Sequence, residues 1–202
     1  IGGISNVTII ENLNLYDLKS EDIGPGNCLI DEWIRKNSKQ KYDKNGELAT
    51  QGKINKIIIE QVQELYLNRK KKYSKSLDIK DFDVSFARSL SLEDGTATLT
   101  EFTAKIIGSA LIELLNKKKD LQWKILVCGG GRKNQTLLNK IKQNTSSDFL
   151  FKNIDDYNID GDFIESQAFA YLAIRSYLNL PISFPKTTGC NKPCTGGEII
   201  KN

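Results

Sequence analysis

The sequence predicts an α/β fold, and three observations carry that expectation. Short apolar runs rich in β-branched residues alternate along the chain with longer segments whose apolar residues step by three or four. Two of the short runs adjoin glycine clusters, "IGGISN" at 1–6 and "CGGG" at 128–131. With 202 residues, 39% apolar and 27% charged, the chain is large enough to bury a real core. Strand and helix signals in alternation argue for α/β layers.

The elements follow in order. "GGISNVTIIEN" reads as a tight glycine turn, expected to connect to a preceding strand, and then a strand through Val7, Thr8, Ile9 and Ile10. After "EDIGPG" a helix begins, with Asn27 as its cap and Leu29, Ile30, Trp33 and Ile34 on one face. "YDKNGELATQGK" reads as loop from its Asn-Gly and Gln-Gly pairs. Helical spacing resumes near Ile54 and runs through Ile58, Val62 and Leu65 to about Leu67. Residues 68–95 open on the basic run "NRKKKY", a solvated loop or helix end, and then show no clean period.

"TATLTEFTAKIIGSALIELLNKK", 96–118, carries the strongest helical pattern, through Leu99, Phe102, Ile106, Ala110 and Leu114. Lysines at its end suit the helix dipole. "WKILVCGGG" reads as a buried strand, Ile125 to Cys128, that stops on three glycines. A helix from about Asn134 to Lys142 and a parallel strand at "DFLFKN" follow. "DGDFIESQAFAYLAIRSYLNLP", 160–181, reads as a helix with alanine-rich packing, ended by Pro181. The tail reads as loop or an edge strand.

Composition narrows the function. A net charge of +4, from 29 basic and 25 acidic residues, is too mild to argue for nucleic acid. No apolar stretch approaches the ~20 residues of a membrane helix, and the first residues do not read as a leader. The chain has no methionine, so it is expected to begin inside a longer product. Of the four cysteines only Cys190 and Cys194 are close, and there is no histidine. A zinc site wants a second close pair or histidines, so these read as unpaired thiols in a reducing compartment.

Four stretches can carry chemistry: 1–6, "DIGPGN" at 22–27, 128–134 and "DGDFIESQAF" at 160–169. Gly2 and Gly3 lack a Cβ, so their N–H groups can lie against a polyphosphate, with Ser5 and Asn6 as side-chain donors. Gly129, Gly130 and Gly131 let backbone pass flat along a ring or ribose, with Asn134 on the next helix. Each glycine cluster can equally be a plain turn; their occurrence together after strands is what points to a ligand. Asp22 has the wrong sign for a phosphate cradle. It reads as a metal ligand, a general base or an ordinary turn residue. Glu165 stands within an apolar helix beside Asp160 and Asp162, and either snorkels to water or has a task. Asp31 lies in a helical first turn, where a carboxylate is favourable, and reads as structural.

Taken together, "IGGISN", "DIGPGNCLIDEW", "YDKNGELATQGK", "EDGTATLTEFTA", "VCGGGRKN" and "DGDFIESQAFAYLA", in this order, resemble the C-terminal half of the anhydro-N-acetylmuramic acid kinase family, across residues 1–202. The resemblance implies an RNase H-like (actin-like ATPase) domain, a mixed sheet flanked by helices, lacking its N-terminal partner domain. It implies ATP and Mg2+, an anhydro-sugar substrate, a cytoplasmic setting, the missing N-terminal half as partner, and a homodimer. By it, water opens the 1,6-anhydro bridge while the sugar's 6-oxygen is phosphorylated, giving N-acetylmuramic acid 6-phosphate in cell-wall recycling. Asp22 matches the catalytic aspartate of an Asp-Thr-Gly-Pro-Gly-Asn motif, as general base on water. Glu165 matches a sugar-binding glutamate, Gly2, Gly3 and Ser5 a phosphate loop, and Gly129, Gly130, Gly131 and Asn134 an adenosine motif.

The sequence departs from the pattern at two places. Ile23 stands where the family has threonine, and "YSKSLDIKDF" keeps Lys75 and Ser76 of a Lys-Ser-Thr-Gly-Arg-Glu pattern but loses the rest. Three other readings stay open: a kinase of another sugar, a non-catalytic nucleotide-binding or dimerisation remnant of a split kinase gene, and a metal or redox role through Cys190 and Cys194.

Overall fold

A computed structural model describes residues 1–70, 76–115, 122–198 and 200, the side chains of 67–70 excepted. The basic run at 71–75, Lys75 included, and the lysines at 117–119 lie outside the described residues.

One helix organises the core. α4 (Leu92–Leu115) buries 15 of its 24 residues, on every side of its axis. Its composition explains this: between Leu99, Phe102, Ile106 and Leu111 stand alanine, glycine and threonine, small enough to let neighbours approach all round. It begins at Leu92, four residues before the expected start. α1 (Cys28–Asn37) packs on it through the expected face of Leu29, Ile30, Trp33 and Ile34, all buried. The Trp33 indole N–H donates to Leu92 O at 3.0 Å, fixing the start of α4 against α1. α3 (Lys56–Lys70) and α5 (Gln135–Gln143) complete the helical layer around it.

The stretch expected as loop after Asp43 contains a helix, α2 (Glu47–Gln51). The Asn-Gly pair does turn, with both residues at positive φ, 57° and 78°. The buried Asp43 carboxylate then accepts from Leu48 N–H (2.8 Å) and Ala49 N–H (3.1 Å), which caps a new helix at once. Residues 53 and 55 are pinned to α4 beyond it: Lys53 N–H donates to Asp94 Oδ1 at 2.7 Å and Asn55 N–H to Thr98 Oγ1 at 3.0 Å. The motifs "YDKNGELATQGK" and "EDGTATLTEFTA" are thus packing partners.

The strands form two sheets of two. β1 (Ile4–Ile9) pairs antiparallel with β2 (Lys19–Pro25), and β3 (Trp123–Val127) pairs parallel with β4 (Phe149–Asn153). The expected single mixed sheet is therefore divided: among the described residues no strand joins β1 to β3. β3 is not the fully buried strand that its apolar run predicts, because alternate residues face outward and Leu126 is 45% exposed.

α6 (Ile164–Tyr177) forms close to where it is expected but buries none of its residues, so the alanine-rich packing predicted for it is absent among the described residues. The tail is neither plain loop nor a full edge strand. It holds a four-residue helix, α7 (Pro185–Thr188), and one antiparallel bridge between Ser183 and Cys194. Among the described residues no helix is long and apolar enough to cross a membrane.

Candidate active site

Three glycine turns meet at one end of the strands. The first, before β1, lays its carbonyls on the start of α1: Gly3 O accepts from Gly26 N–H (2.8 Å) and Cys28 N–H (3.2 Å), and Gly2 O from Asn27 N–H (2.8 Å). The orphan donors of that helix start are thereby satisfied by backbone, with no anion needed. Asn27 does not cap with its side chain as expected; its Nδ2 donates to Gly2 O at 3.3 Å. Gly26 is required here, because a Cβ on it would collide with Gly2 O. Gly2 N–H turns inward to Ile4 O at 3.1 Å.

The third turn, 129–131, docks on the first. Gly131 N–H donates to Ile1 O at 2.9 Å, and the backbone nitrogen of Ile1 donates to Cys128 O at 2.7 Å. Gly129 adopts φ 78°, the left-handed region that glycine accepts without strain. Around Gly130 the space is open: a Cβ there would meet nothing within 4 Å.

Asp22 lies two residues before Gly24, within β2 rather than in the turn. The β1–β2 register runs Ser5 opposite Gly24 and Asn6 opposite Asp22, so Ile23 is an extra residue in β2. Such a bulge re-aims neighbouring side chains and is common beside active sites. Ile23 itself is 3% exposed and fills the core, so the position held by threonine in the family is apolar packing in this chain. The half-buried Asp22 carboxylate accepts through Oδ2 from Leu77 N–H at 2.8 Å. The segment that departs from the family pattern thus touches the candidate base directly, and Ile79 lies beside Gly3.

Ser5 and Asn134, both expected at the nucleotide, each use a side-chain oxygen inside the protein. Ser5, 1% exposed, donates its hydroxyl to Pro25 O at 3.1 Å, so its one proton is spent on holding β1 to the Gly-Pro-Gly turn. Asn134 accepts from Leu137 N–H at 3.0 Å through Oδ1 and caps α5. Glu165 stands exposed in the first turn of α6.

What ties α6 to the glycine turns is Arg132, a residue that sequence reading passed over although it follows the third glycine directly. Its side chain is 3% exposed. It donates to Asp155 Oδ2 (2.8 Å), Asp162 Oδ1 (2.8 Å) and Gly129 O (3.2 Å), while Lys133 reaches Asp162 Oδ2 at 2.5 Å. The guanidinium hydrogen bonds hold the carboxyls of Asp155 and Asp162 below the usual carboxylate range. The one signal in the sequence was the pairing of a basic "GGGRKN" with an acidic "DGDF".

Elsewhere, burial pushes the Asp31 carboxyl up to about 6, against Arg35 and aided by Asp43. Burial likewise pushes the Cys28 thiol up to about 11, which leaves it a poor nucleophile. All four cysteines carry free thiols.

Glycine turns thus gather at strand ends beside a carboxylate, the place where ligands commonly bind in α/β folds. The chain belongs to the anhydro-N-acetylmuramic acid kinase family, which it matches over residues 1–202. It is 49% identical over 202 residues to the anhydro-N-acetylmuramic acid kinase of Pelagibacter ubique, covering 100% of this chain and 54% of that relative. It is 38% identical to the protein of that name from Zymomonas mobilis, covering 98% of this chain and 52% of the relative. For the one from Caulobacter vibrioides the identity is 35%, over 99% of this chain and 52% of the relative. The chain spans about half the length of the curated relatives it matches.

Proposed function

We propose that this chain is the C-terminal, RNase H-like half of a cytoplasmic kinase that hydrates 1,6-anhydro-N-acetylmuramic acid and phosphorylates its 6-oxygen, completed by an N-terminal half. Water adds to the anomeric carbon as the bond from that carbon to the 6-oxygen breaks. The 6-oxygen takes the γ-phosphoryl group of ATP, and ADP leaves. Asp22 accepts the proton of the water. Glu165 orients the sugar. The turns at Gly2–Gly3 and Gly129–Gly131 face the nucleotide, with Ser5 and Asn134 acting by holding those turns in shape.

The observation that carries this reading is the position of Asp22. It stands at the bulged end of β2, beside the glycine turns, with one carboxylate oxygen fixed by Leu77 N–H. Among the described residues that backbone N–H is the donor it accepts from, which leaves carboxylate lone pairs for a water. The open side of Gly130 supports the nucleotide face. Magnesium would arrive with the phosphates. Among the described residues no three His, Cys, Asp or Glu side chains stand where they could hold a metal ion, and kinases hold Mg2+ largely by phosphate and water.

Asp22→Asn in the complete enzyme tests the assignment. Turnover is expected to fall by about 10²-fold or more, with ATP binding kept. A near-normal rate of anhydro-sugar conversion in that variant overturns the assignment of Asp22 as base.

A further inference from the structure

Arg132 is a buried cation at a junction between two turns. A guanidinium is costly to take out of water, and well-packed apolar side chains would hold two segments together about as well. What a guanidinium adds is a planar fork, whose donors fix directions as well as distances. Its acceptors show what is fixed here. Nη1 donates to Gly129 O at 3.2 Å, the carbonyl of the first residue of the 129–131 turn. Nη1 also donates to Asp162 Oδ1, and Nε to Asp155 Oδ2, both at 2.8 Å.

Asp155 belongs to the turn after β4, and Asp162 to the turn that opens α6. From these two carboxylates hydrogen bonds run on into the helix. Asp155 Oδ1 accepts from Gly161 N–H at 2.8 Å, and Asp162 N–H donates to Asp160 Oδ1 at 2.9 Å. Phe163 N–H donates to Asp160 O at 3.1 Å, and Gln167 N–H to Phe163 O at 2.9 Å. Gly161 lies against the guanidinium, because a Cβ on it would collide with Arg132 Nε. Glu165 follows in the first turn of α6. α6 buries none of its residues, so core packing does not set where that first turn sits. The bonds of Arg132 do.

We propose that Arg132 is a positioning residue for the phosphoryl transfer: it holds Glu165, on the sugar side, in register with the nucleotide turn at Gly129. It touches neither substrate. It acts through Gly129 O on one side and through Asp162 and the start of α6 on the other. Lys133 also holds Asp162, so loss of Arg132 leaves the start of α6 tethered and removes its register to Gly129. A misplacement of about 1 Å in a substrate-positioning group can cost about 10²-fold in rate, which makes register matter beyond stability. The proposal rests on the reading of Glu165 as the residue that orients the sugar, and the test below keeps the two apart.

The complete kinase, both halves, is assayed with ATP and anhydro-N-acetylmuramic acid. Arg132→Met is expected to raise the KM for the sugar about tenfold, with the Kd for ATP within about threefold of the parent. Glu165→Gln is expected to raise the same KM at least as much. In the Glu165→Gln background, Arg132→Met is expected to add less than about threefold, because the residue it acts through is already disabled. A purely structural role predicts a different pattern: kcat lowered by the same factor in both backgrounds, through less folded enzyme, at unchanged KM. That pattern overturns the proposal. An unchanged sugar KM in Arg132→Met, beside a raised one in Glu165→Gln, overturns the proposal alone. The parent KM in Glu165→Gln overturns the reading of Glu165, and the proposal with it. Should Arg132→Met not fold, Asp162→Ala removes one arm of the fork from a half-exposed position. It is expected to raise the sugar KM about fivefold, again only while Glu165 is present. An unchanged KM in that variant contradicts the positioning role.

Discussion

α4 and α6 are both long helices with many apolar residues, three alanines among them in each, yet α4 buries 15 of its 24 residues and α6 none of its 14. Phe102 on α4 is 2% exposed, whereas Phe169 on α6 is 66% exposed and Tyr177 69%. The contrast lies in what surrounds each helix. α4 has α1, α2, α3, α5 and β2 packed against it. α6 is held at its start through the Arg132 clamp and presents the rest of its apolar surface to solvent. Phe169, Tyr171, Ile174 and Tyr177 of α6 all stand exposed, and apolar patches on a protein surface often mark interaction sites. The α4 side of the molecule is closed by its own chain, whereas the α6 side leaves its apolar residues exposed.

The sharpest way to break this contrast is to truncate the same residue type in both places. Phe102→Ala is expected to destabilise the chain by about 3–5 kcal/mol in denaturant unfolding, through lost burial and the cavity left behind. Phe169→Ser is expected to stay within about 0.5 kcal/mol of the parent. Equal losses at both sites would mean that α6 is packed in solution.

Next in size is the clamp that joins the two regions. Arg132→Met removes three hydrogen bonds from a buried guanidinium and is expected to cost about 2 kcal/mol, and to raise amide exchange within 160–170 before it does so in α4. Arg132→Lys is expected to restore little, since a point ammonium cannot span Asp155 and Asp162 as the planar fork does. Asp155 and Asp162 titrate below the usual carboxylate range, so the clamp is whole above about pH 4 and loosens as pH falls through their lowered pKa values.

The smallest effect lies on the finished side. The Asp31 carboxyl is raised to about 6 by burial, so the folded state favours its neutral form. Its contribution to stability is complete below the unfolded value near 4 and is lost as pH rises through about 6. Asp31→Asn is accordingly expected to stabilise the chain by about 1 kcal/mol at pH 7, after allowance for solvent screening, and to add nothing at pH 4. Unfolding curves at the two pH values decide it.

Much of the fold was legible because its signals are local. The face of α1 follows from the spacing of Leu29, Ile30, Trp33 and Ile34, and the position of β4 from "DFLFKN". α2 was hidden because its cap, Asp43, sits on the far side of an Asn-Gly turn, which is itself a loop signal. Asp22 was legible as a charge out of place before Gly-Pro-Gly. The bulge at Ile23 that aims it was not, since it exists only in the pairing with β1. Arg132 was missed because its partners lie 23 and 30 residues away, and nothing local marks a guanidinium as buried. The bonds of Ser5 to the Gly-Pro-Gly turn and of Asn134 to the start of α5 were not legible, because in sequence the polar atoms that serve a turn or a cap look the same as those that serve a ligand.

Completion from outside also bears on the nucleotide. The isolated chain is expected to bind ATP weakly, because in the proposed function the turns at Gly2–Gly3 and Gly129–Gly131 supply only one wall of the nucleotide cleft; a micromolar dissociation constant by calorimetry would speak against two required halves. The most direct test follows ATP-dependent conversion of anhydro-N-acetylmuramic acid by the purified chain, alone and together with the N-terminal half of the kinase. Product is expected only when both halves are present. Conversion by the chain alone at the rate of the pair would contradict the account.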